Sequence, residues 1–221
     1  MCGRFANTLP SDAMAQLFDA APANTLPHVP NYNVCPTTDI HVIYRTDDHR
    51  RLVPMRWGFV PKWYKAPNDG PLLINARAET LADKPAFREA CRVRRCLIPA
   101  DGFYEWHRPE AGDKQPWFIQ PAGEGPMVFA GIWQDWQQDG QRLSTCAMVT
   151  TEAQGRMVEI HHRIPVMVRP EHWAKWLGEE GHGAATLMCA APDEALRFHR
   201  VSRAINSNRA VGPELIEELD E

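Results

Sequence analysis

Position 2 carries a cysteine, and its small side chain lets a methionine aminopeptidase remove Met1 and leave Cys2 with a free α-amine beside its thiol. Such a 1,2-aminothiol has a reaction that no internal cysteine shares. Its amine condenses with an aldehyde to an imine, and the thiol then closes a five-membered thiazolidine ring. Reference pKa values of about 8 for the amine and about 8.5 for the thiol leave a nucleophilic fraction at neutral pH without any large shift. Gly3 permits close backbone approach, and Arg4 sets a phosphate-seeking fork beside the nucleophile. Residue identity alone favours the plainer reading, a cysteine that happens to follow the start.

Three further groups have chemistry to offer. In Leu72–Leu73–Ile74–Asn75–Ala76–Arg77, strand periodicity sends Asn75 and Arg77 to one face, where an amide can hold the chain end and an arginine can bind phosphate. An ordinary solvent-facing polar stripe fits the same pattern. Glu105 lies among Phe103, Tyr104 and Trp106, where desolvation would raise its pKa into the range useful for proton transfer, and Trp106 offers a face for stacking on a base. The competing reading makes Phe103 and Trp106 core residues and Glu105 a surface acid. Thr150 and Thr151 precede a tandem pair, His161–His162, flanked by Ile160 and Arg163. A histidine there can protonate a departing sugar oxygen at neutral pH. Neighbours in a strand face opposite ways, so at most one of the pair belongs to a site. No second ligand pair lies at finger-like spacing, and no metal is expected.

Aromatic residues alternate with cations in Arg56–Trp57–Gly58–Phe59–Val60–Pro61–Lys62–Trp63–Tyr64–Lys65, which suits single-stranded nucleic acid through stacking and phosphate contact. Trp57 fits the core better; a proline-bounded loop exposing Trp63 and Tyr64 is the stacking candidate.

The elements that must position these residues are short. A helix with Ser11 as its cap spans residues 11–20, with Met14, Leu17 and Phe18 at helical spacing. A Pro/Asn-rich loop follows, and strand character appears at 40–45, 51–59 and 72–78. A half-buried helix is predicted over 86–95. Strands follow at 96–99, 102–107, 115–120, 126–133, 143–151 and 164–168. Short helices opened by proline are predicted over 170–177, 192–197 and 213–219. The expected fold is α+β, a strongly bent, barrel-like antiparallel β-sheet with peripheral short helices, in a single domain over residues 1–221.

Composition narrows the class. A length of 221 residues fits one domain, and 44% apolar with 24% charged residues is ordinary for a globular chain with a real core. The net charge of −4 supplies no overall field toward nucleic acid or an anionic membrane, so any DNA site must be a local basic patch. The cations are 19 Arg and 5 Lys, a balance that favours forked phosphate contacts and equally reflects genomic composition. Cysteines at 2, 35, 91, 96, 146 and 189 form no paired spacing, and no signal-peptide or membrane-length apolar run is present. The expectation is a reduced, cytoplasmic protein.

Taken together, MCGR, PNYNVCPT, RWGF, INARAET, PADGFYEW, VTTEA and IHHRIPV resemble the SOS response-associated peptidase (SRAP) family, whose members are also called abasic site processing proteins. The resemblance runs from Cys2 to the VSRAINS block near the C-terminus. It implies a cofactor-free, monomeric enzyme with a Cys nucleophile that joins abasic sites in single-stranded DNA through a thiazolidine crosslink. Such an activity belongs to the DNA damage response and is described in hydrolase, protease or lyase terms. By position, the catalytic residues implied are Cys2, Asn75, Glu105 and His161, and the DNA contacts are Arg4, Arg77, Arg163, Trp63, Tyr64, Trp106 and Thr150. The partner implied is abasic single-stranded DNA, with no membrane and no metal, and with nucleoid association when bound. Departures are Tyr64 where many members have a second tryptophan, His162 where Asp or Asn is common, and Cys35 where Ala is usual. Two alternatives from other classes stand beside this: a cysteine peptidase acting on Met1 or another chain, with His161 as base, and a non-covalent single-stranded DNA-binding module.

Overall fold

A computed structural model describes residues 2–219. Thirteen strands run in chain order: β1 (Phe5–Asn7), β2 (Ala20–Pro22), β3 (Asn31–Val34), β4 (Asp39–Arg45), β5 (Arg50–Trp57), β6 (Asn75–Arg77), β7 (Arg95–Ala100), β8 (Gly102–His107), β9 (Gln115–Pro121), β10 (Met127–Gln138), β11 (Gln141–Glu152), β12 (Arg163–Pro165) and β13 (Leu196–Arg200). Four short helices accompany them: α1 (Ser11–Leu17), α2 (Arg88–Val93), α3 (Met157–Ile160) and α4 (Trp173–Leu177). Among the described residues no helix is long and apolar enough to cross a membrane.

The larger sheet runs β12-β11-β10-β7-β4-β5-β2, and β5 returns to pair with β11, so β11, β10, β7, β4 and β5 close a five-stranded barrel. Its longest ladder is the β10–β11 hairpin, turned by Asp139 and Gly140 at φ 49° and 78°. Both positive values belong to the mirror-image turn whose twist matches the flanking strands. The barrel-like antiparallel sheet expected from the sequence is therefore present, and its closure is the added finding: the seam pairs Thr145 with Arg56 and Cys146 with Trp57 in parallel. β6 and β2 also join by parallel pairing.

A second sheet, in the order β13-β9-β8-β1-β3, packs on the barrel. Phe5 of β1 meets Trp57 at 5.1 Å and Phe129 of β10 at 6.1 Å, and Phe103 of β8 meets Phe129 at 6.0 Å, all edge-on. This aromatic contact between the sheets buries the face on which Cys2 begins the chain, and Cys2 belongs to the same core cluster. Where β9 crosses the start of β8 the backbones touch so closely that a Cβ on Gly102 would lie 2.5 Å from the Ile119 carbonyl oxygen. Glycine is required there by space.

Several local expectations change. Ser11 is the first helical residue rather than the cap; Pro10 holds the cap position, and the Ser11 hydroxyl shares a 3.1 Å hydrogen bond with Nε2 of buried His41. The chain then turns at Asp19 into β2, so the helix is shorter than residues 11–20. Residues 72–78 pair as a strand only over Asn75–Arg77. The segment 192–197 is a 3-10 turn at Asp193–Ala195 that leads into β13, whose Leu196 and Phe198 are buried while Arg197 and Arg200 are exposed. Buried Leu196 and Phe198, paired with Pro121 and Ile119 of β9, had more physical weight there than the opening proline.

Candidate active site

The site begins with β1. Tyr104 N–H donates to the Arg4 carbonyl oxygen at 2.9 Å, and Phe5 pairs with Phe103, so the residues after Cys2 are laced to β8 just ahead of Glu105. Cys2 itself is fully buried. Its thiol points to the Arg4 carbonyl oxygen at 3.7 Å, and its own carbonyl oxygen accepts a 2.7 Å hydrogen bond from Asn75 Nδ2. Asn75 Oδ1 is also buried and has no partner among the described residues, which leaves a hydrogen-bond acceptor directed at the same region. Burial and then the negative field of Glu105 push the Cys2 thiol well above its ordinary range. At neutral pH it is a protonated thiol.

Glu105 is only 3% exposed, and burial raises its carboxyl to about 7. Across the site His161 Nδ1 lies 3.9 Å from Glu105 Oε1. His161 ends α3 and adopts an extended conformation (φ −157°, ψ 145°) that swings its ring toward β8. The Arg163 backbone N–H lies 3.0 Å from His161 Nδ1, while the Arg163 carbonyl lies 3.3 Å from the same atom. A backbone N–H can only donate, and it makes the shorter contact, so Nδ1 is the acceptor and the neutral ring carries its proton on Nε2. Burial lowers His161 to about 4. The two groups are thus matched in an unexpected sense: the carboxyl is the group poised to gain and lose a proton near neutrality, and the imidazole is a neutral hydrogen-bond donor.

This changes the reading of the histidine pair. The rings of His161 and His162 stack at 4.3 Å and 27°, because the chain there is a helix end rather than a strand and does not send neighbours to opposite faces. His162 is exposed, and His161 is half-buried.

The expected arginine trio divides. Arg77 is exposed on β6 with no hydrogen bond or ion pair among the described residues, as a phosphate contact requires. Arg4 is half-buried, and its Nη1 donates to Asn33 Oδ1 at 2.6 Å and to the Ile205 carbonyl at 3.2 Å, which ties β1 to β3 and to the C-terminal segment. Arg163 is buried: Nη1 and Nη2 each reach Glu79 at 2.8 Å, and Nη2 reaches the Thr150 carbonyl at 2.7 Å. Thr150 lies beneath it with no exposure. Neither Arg163 nor Thr150 presents a DNA-facing surface here: the Arg163 guanidinium is held by an ion pair to Glu79, in the turn after β6, and Thr150 of β11 accepts from the same guanidinium.

A cavity of about 430 Å³ opens beside Glu105 and His161 and is lined also by Trp106, Arg108, Lys114 and Asn206. Trp106 Nε1 donates to Asn206 Oδ1 at 2.7 Å, which fixes the indole at the cavity edge. Arg108 and Lys114 flank the β8–β9 connection and line the cavity with the carboxyl; sequence reasoning passed over both, although their place just outside the ends of a hairpin bearing Glu105 was a usable signal. Asn206, a hundred residues from Trp106, left no local signal. Trp63 is 59% exposed, and its loop is held to β10 by Trp136 Nε1 donating to the Tyr64 carbonyl at 2.8 Å. Among the described residues no hydrogen bond or ring contact joins Trp63 or Tyr64 to this cavity, and Lys62 is paired with Glu89 at 3.0 Å rather than left free for phosphate. Trp57 is a core residue, its Nε1 donating to the Ile74 carbonyl at 2.9 Å. Cys35 is half-buried near Asn33, with its thiol 3.3 Å from the Asn33 carbonyl.

Comparisons with known proteins agree along nearly the whole chain. A family model described as SOS response associated peptidase (SRAP) matches residues 1–208. The chain is 36% identical over 224 residues to "Abasic site processing protein YoqW" of Bacillus subtilis, covering 98% of this chain and 99% of that one. It is 33% identical over 225 residues to "Abasic site processing protein YedK" of Escherichia coli, with 98% and 99% covered. Over 272 residues it is 28% identical to "Abasic site processing protein HMCES" of Pongo abelii, with 100% of this chain and 77% of that one covered. A solved structure of a protein from Bacteroides thetaiotaomicron superposes with a TM-score of 0.87 at 22% identity, over 99% of this chain and 100% of that one, and shares the fold.

Proposed function

The chain belongs to the SOS response associated peptidase (SRAP) family, and from that premise we propose that it processes abasic sites in single-stranded DNA by a covalent thiazolidine link to Cys2 after Met1 is lost. The observation that carries this reading is Glu105: a buried carboxyl whose pKa is raised to about 7, held by β8 against the start of the chain. A group that both gives and takes a proton near neutrality is what imine formation needs.

The steps balance as follows. The neutral α-amine of Cys2 adds to the aldehyde carbon of the opened abasic sugar and gives a carbinolamine. Protonated Glu105 transfers its proton to the departing hydroxyl, water leaves, and a protonated imine forms beside the Glu105 carboxylate. The Cys2 sulfur then closes on the imine carbon while its proton passes to that carboxylate, which restores the acid and leaves a neutral ring nitrogen. Asn75 holds the Cys2 carbonyl, and its unpaired Oδ1 is a suitable acceptor for an amine hydrogen, so attack starts from a fixed geometry. His161, neutral with Nε2–H as donor, polarises the sugar oxygen as a hydrogen-bond donor rather than releasing a full proton to it. Trp106 offers a ring for a flanking base, and Arg108, Lys114 and Arg77 offer cations for phosphates.

The order of steps follows from the thiol. A cysteine peptidase needs a thiolate first, whereas burial and Glu105 both oppose deprotonation of Cys2. Amine attack needs no thiolate, and the sulfur acts only after the imine exists.

Intact-mass spectrometry after incubation with abasic and with intact single-stranded oligonucleotides tests the proposal. The expected result is a protein lacking Met1 that gains the mass of the abasic strand minus water, and gains nothing with the intact strand. No adduct from protein already shown to lack Met1 would overturn it.

A further inference from the structure

The Glu79 carboxylate is the meeting point of three chain segments. It lies in the 3-10 turn Ala78–Thr80 that directly follows β6, the strand carrying Asn75. Its two oxygens accept from both terminal nitrogens of Arg163 at 2.8 Å. Oε1 also accepts from the Glu152 backbone N–H at 3.1 Å and from the Thr151 hydroxyl at 3.3 Å, at the end of β11. The Arg163 guanidinium continues the chain of bonds to the Thr150 carbonyl and hydroxyl. The backbone N–H of the same Arg163 donates to His161 Nδ1.

Two branches therefore leave one carboxylate. Through β6 it reaches Asn75, which holds the Cys2 carbonyl. Through Arg163 it reaches His161, which lines the cavity beside Glu105. β12 is three residues long and pairs with β11 through Thr150–Pro165, Thr151–Ile164 and Glu152–Arg163, with the His162 carbonyl and Val166 continuing the backbone bonds on either side. The side-chain anchor of Arg163 adds to this ladder in fixing the backbone N–H that faces the imidazole. Arg163 is buried, so without Glu79 its charge has no anionic partner, and its side chain must reorganise toward water.

We propose that Glu79 is a positioning residue of this site: by clamping Arg163 it holds His161 with Nδ1 as acceptor and the proton on Nε2, and it locks that ring in register with the strand that carries Asn75. The role of His161 in this statement rests on the abasic-site chemistry proposed above; the tautomer it fixes does not. The bidentate geometry agrees with the Arg163 guanidinium holding the Glu79 carboxyl down at about 2, which keeps the clamp charged across the whole working range.

A purely structural ion pair and a positioning clamp give different results on removal. Structural damage weakens DNA binding and reaction together. Loss of the clamp misplaces His161 while leaving the Arg163 cation freer to meet a phosphate, so reaction and binding separate. The test uses full-length protein lacking Met1, with Glu79→Ala, the near-isosteric Glu79→Gln and the conservative Glu79→Asp. Binding is measured on an intact single-stranded oligonucleotide, and single-turnover crosslinking on its abasic counterpart. The His161 ring nitrogens are read by 15N NMR and assigned by difference from His161→Gln.

In wild type the expected tautomer is Nε2–H. Glu79→Ala and Glu79→Gln are expected to give a mixture of tautomers and a maximal crosslinking rate at least ten-fold lower, with affinity for the intact strand unchanged or higher. Glu79→Asp is expected to recover part of the rate and most of the tautomer. Glu79→Gln that keeps wild-type tautomer and rate overturns the proposal, as does a parallel loss of rate and affinity in all three variants. If wild type forms no crosslink, the abasic-site reading fails while the NMR comparison, which needs no DNA, still decides the role of Glu79.

Discussion

Replacing Glu105 by Gln removes a proton carrier without changing the shape of the side chain, and the pH profile of crosslinking then reports whether the buried carboxyl does what its environment suggests. Burial moves Glu105 from an ordinary 4.5 to about 7, in favour of the protonated form. The rate depends on the product of two fractions, protonated Glu105 and neutral α-amine, the latter with a reference pKa of about 8. That product peaks near about pH 7.5, where each fraction is roughly a quarter, and falls about 20-fold by about pH 5.5 and again by about pH 9.5. An unshifted carboxyl would put the peak near about pH 6.2. In Glu105→Gln the alkaline limb should vanish, leaving a rate that rises with amine deprotonation to a plateau, at a level ~10² below wild type near the optimum. Single-turnover crosslinking to an abasic oligonucleotide, quenched and resolved on denaturing gels from about pH 5 to about pH 10, measures this. An alkaline limb that survives in Glu105→Gln, or a wild-type optimum near six, would refute the assignment of Glu105 as the proton carrier.

Cys2→Ala should abolish the denaturation-resistant adduct while leaving non-covalent binding of an intact strand in place, as gel-shift and denaturing assays on the same samples will report; adduct from this variant would place the nucleophile elsewhere. Cys2→Ser should yield little stable product, since an oxazolidine hydrolyses more readily than a thiazolidine, and a durable serine adduct would remove the ring-closure step. Asn75→Ala loses the 2.7 Å bond to the Cys2 carbonyl, worth about 1 kcal/mol, and should slow crosslinking about five- to ten-fold in rapid-quench measurements, with an unchanged rate demoting Asn75 to a strand residue. His41 is buried, and desolvation lowers its pKa from 6.5 to about 4. The folded state therefore binds fewer protons than the unfolded one, so this stabilisation is complete above about 6.5 and is lost as pH falls toward about 4, to the extent of about 3 kcal/mol. Melting temperature against pH should fall over that window and flatten in His41→Gln; an equally steep fall in the variant would assign the acid sensitivity to other groups, among them His161.

The barrel-like antiparallel sheet was legible in the chain as a class, and the candidate groups stood out for physical reasons of their own. Cys2, Asn75, Glu105 and His161 could be singled out because each carries a reactive group in an informative local setting, and Glu105 among aromatics correctly implied a raised pKa. The strands β8 and β9 were visible because aromatic and β-branched residues cluster in each, Phe103, Tyr104 and Trp106 in one and Trp117, Phe118 and Ile119 in the other. β1, β2 and β3 were not, because three or four residues do not establish a period and their pairing is decided by distant partners such as Val34 for Phe5. Barrel closure through a parallel contact of Cys146 with Trp57 leaves no trace in either segment read alone. Arg163, expected as a DNA contact, is buried in the structure, because burial of an arginine depends on a matching carboxylate and Glu79 lies eighty-four residues earlier. Arg4 was judged by its charge when its neighbours Asn33 and Ile205 decide its exposure.

The position of β1 has a mechanical consequence. β1 is an interior strand of its sheet, hydrogen-bonded to β8 on one side and β3 on the other, and Cys2 precedes it by three residues. If Cys2 carries a DNA strand as proposed, that strand is tethered to the middle of a sheet rather than to a loose tail. Tension applied by an enzyme advancing along that strand would pull β1 along its own axis, loading both flanking ladders in shear at once, with Phe5 wedged against Trp57 and Phe129 as a further brake. Force transmitted through such an adduct would therefore load the core of the protein directly.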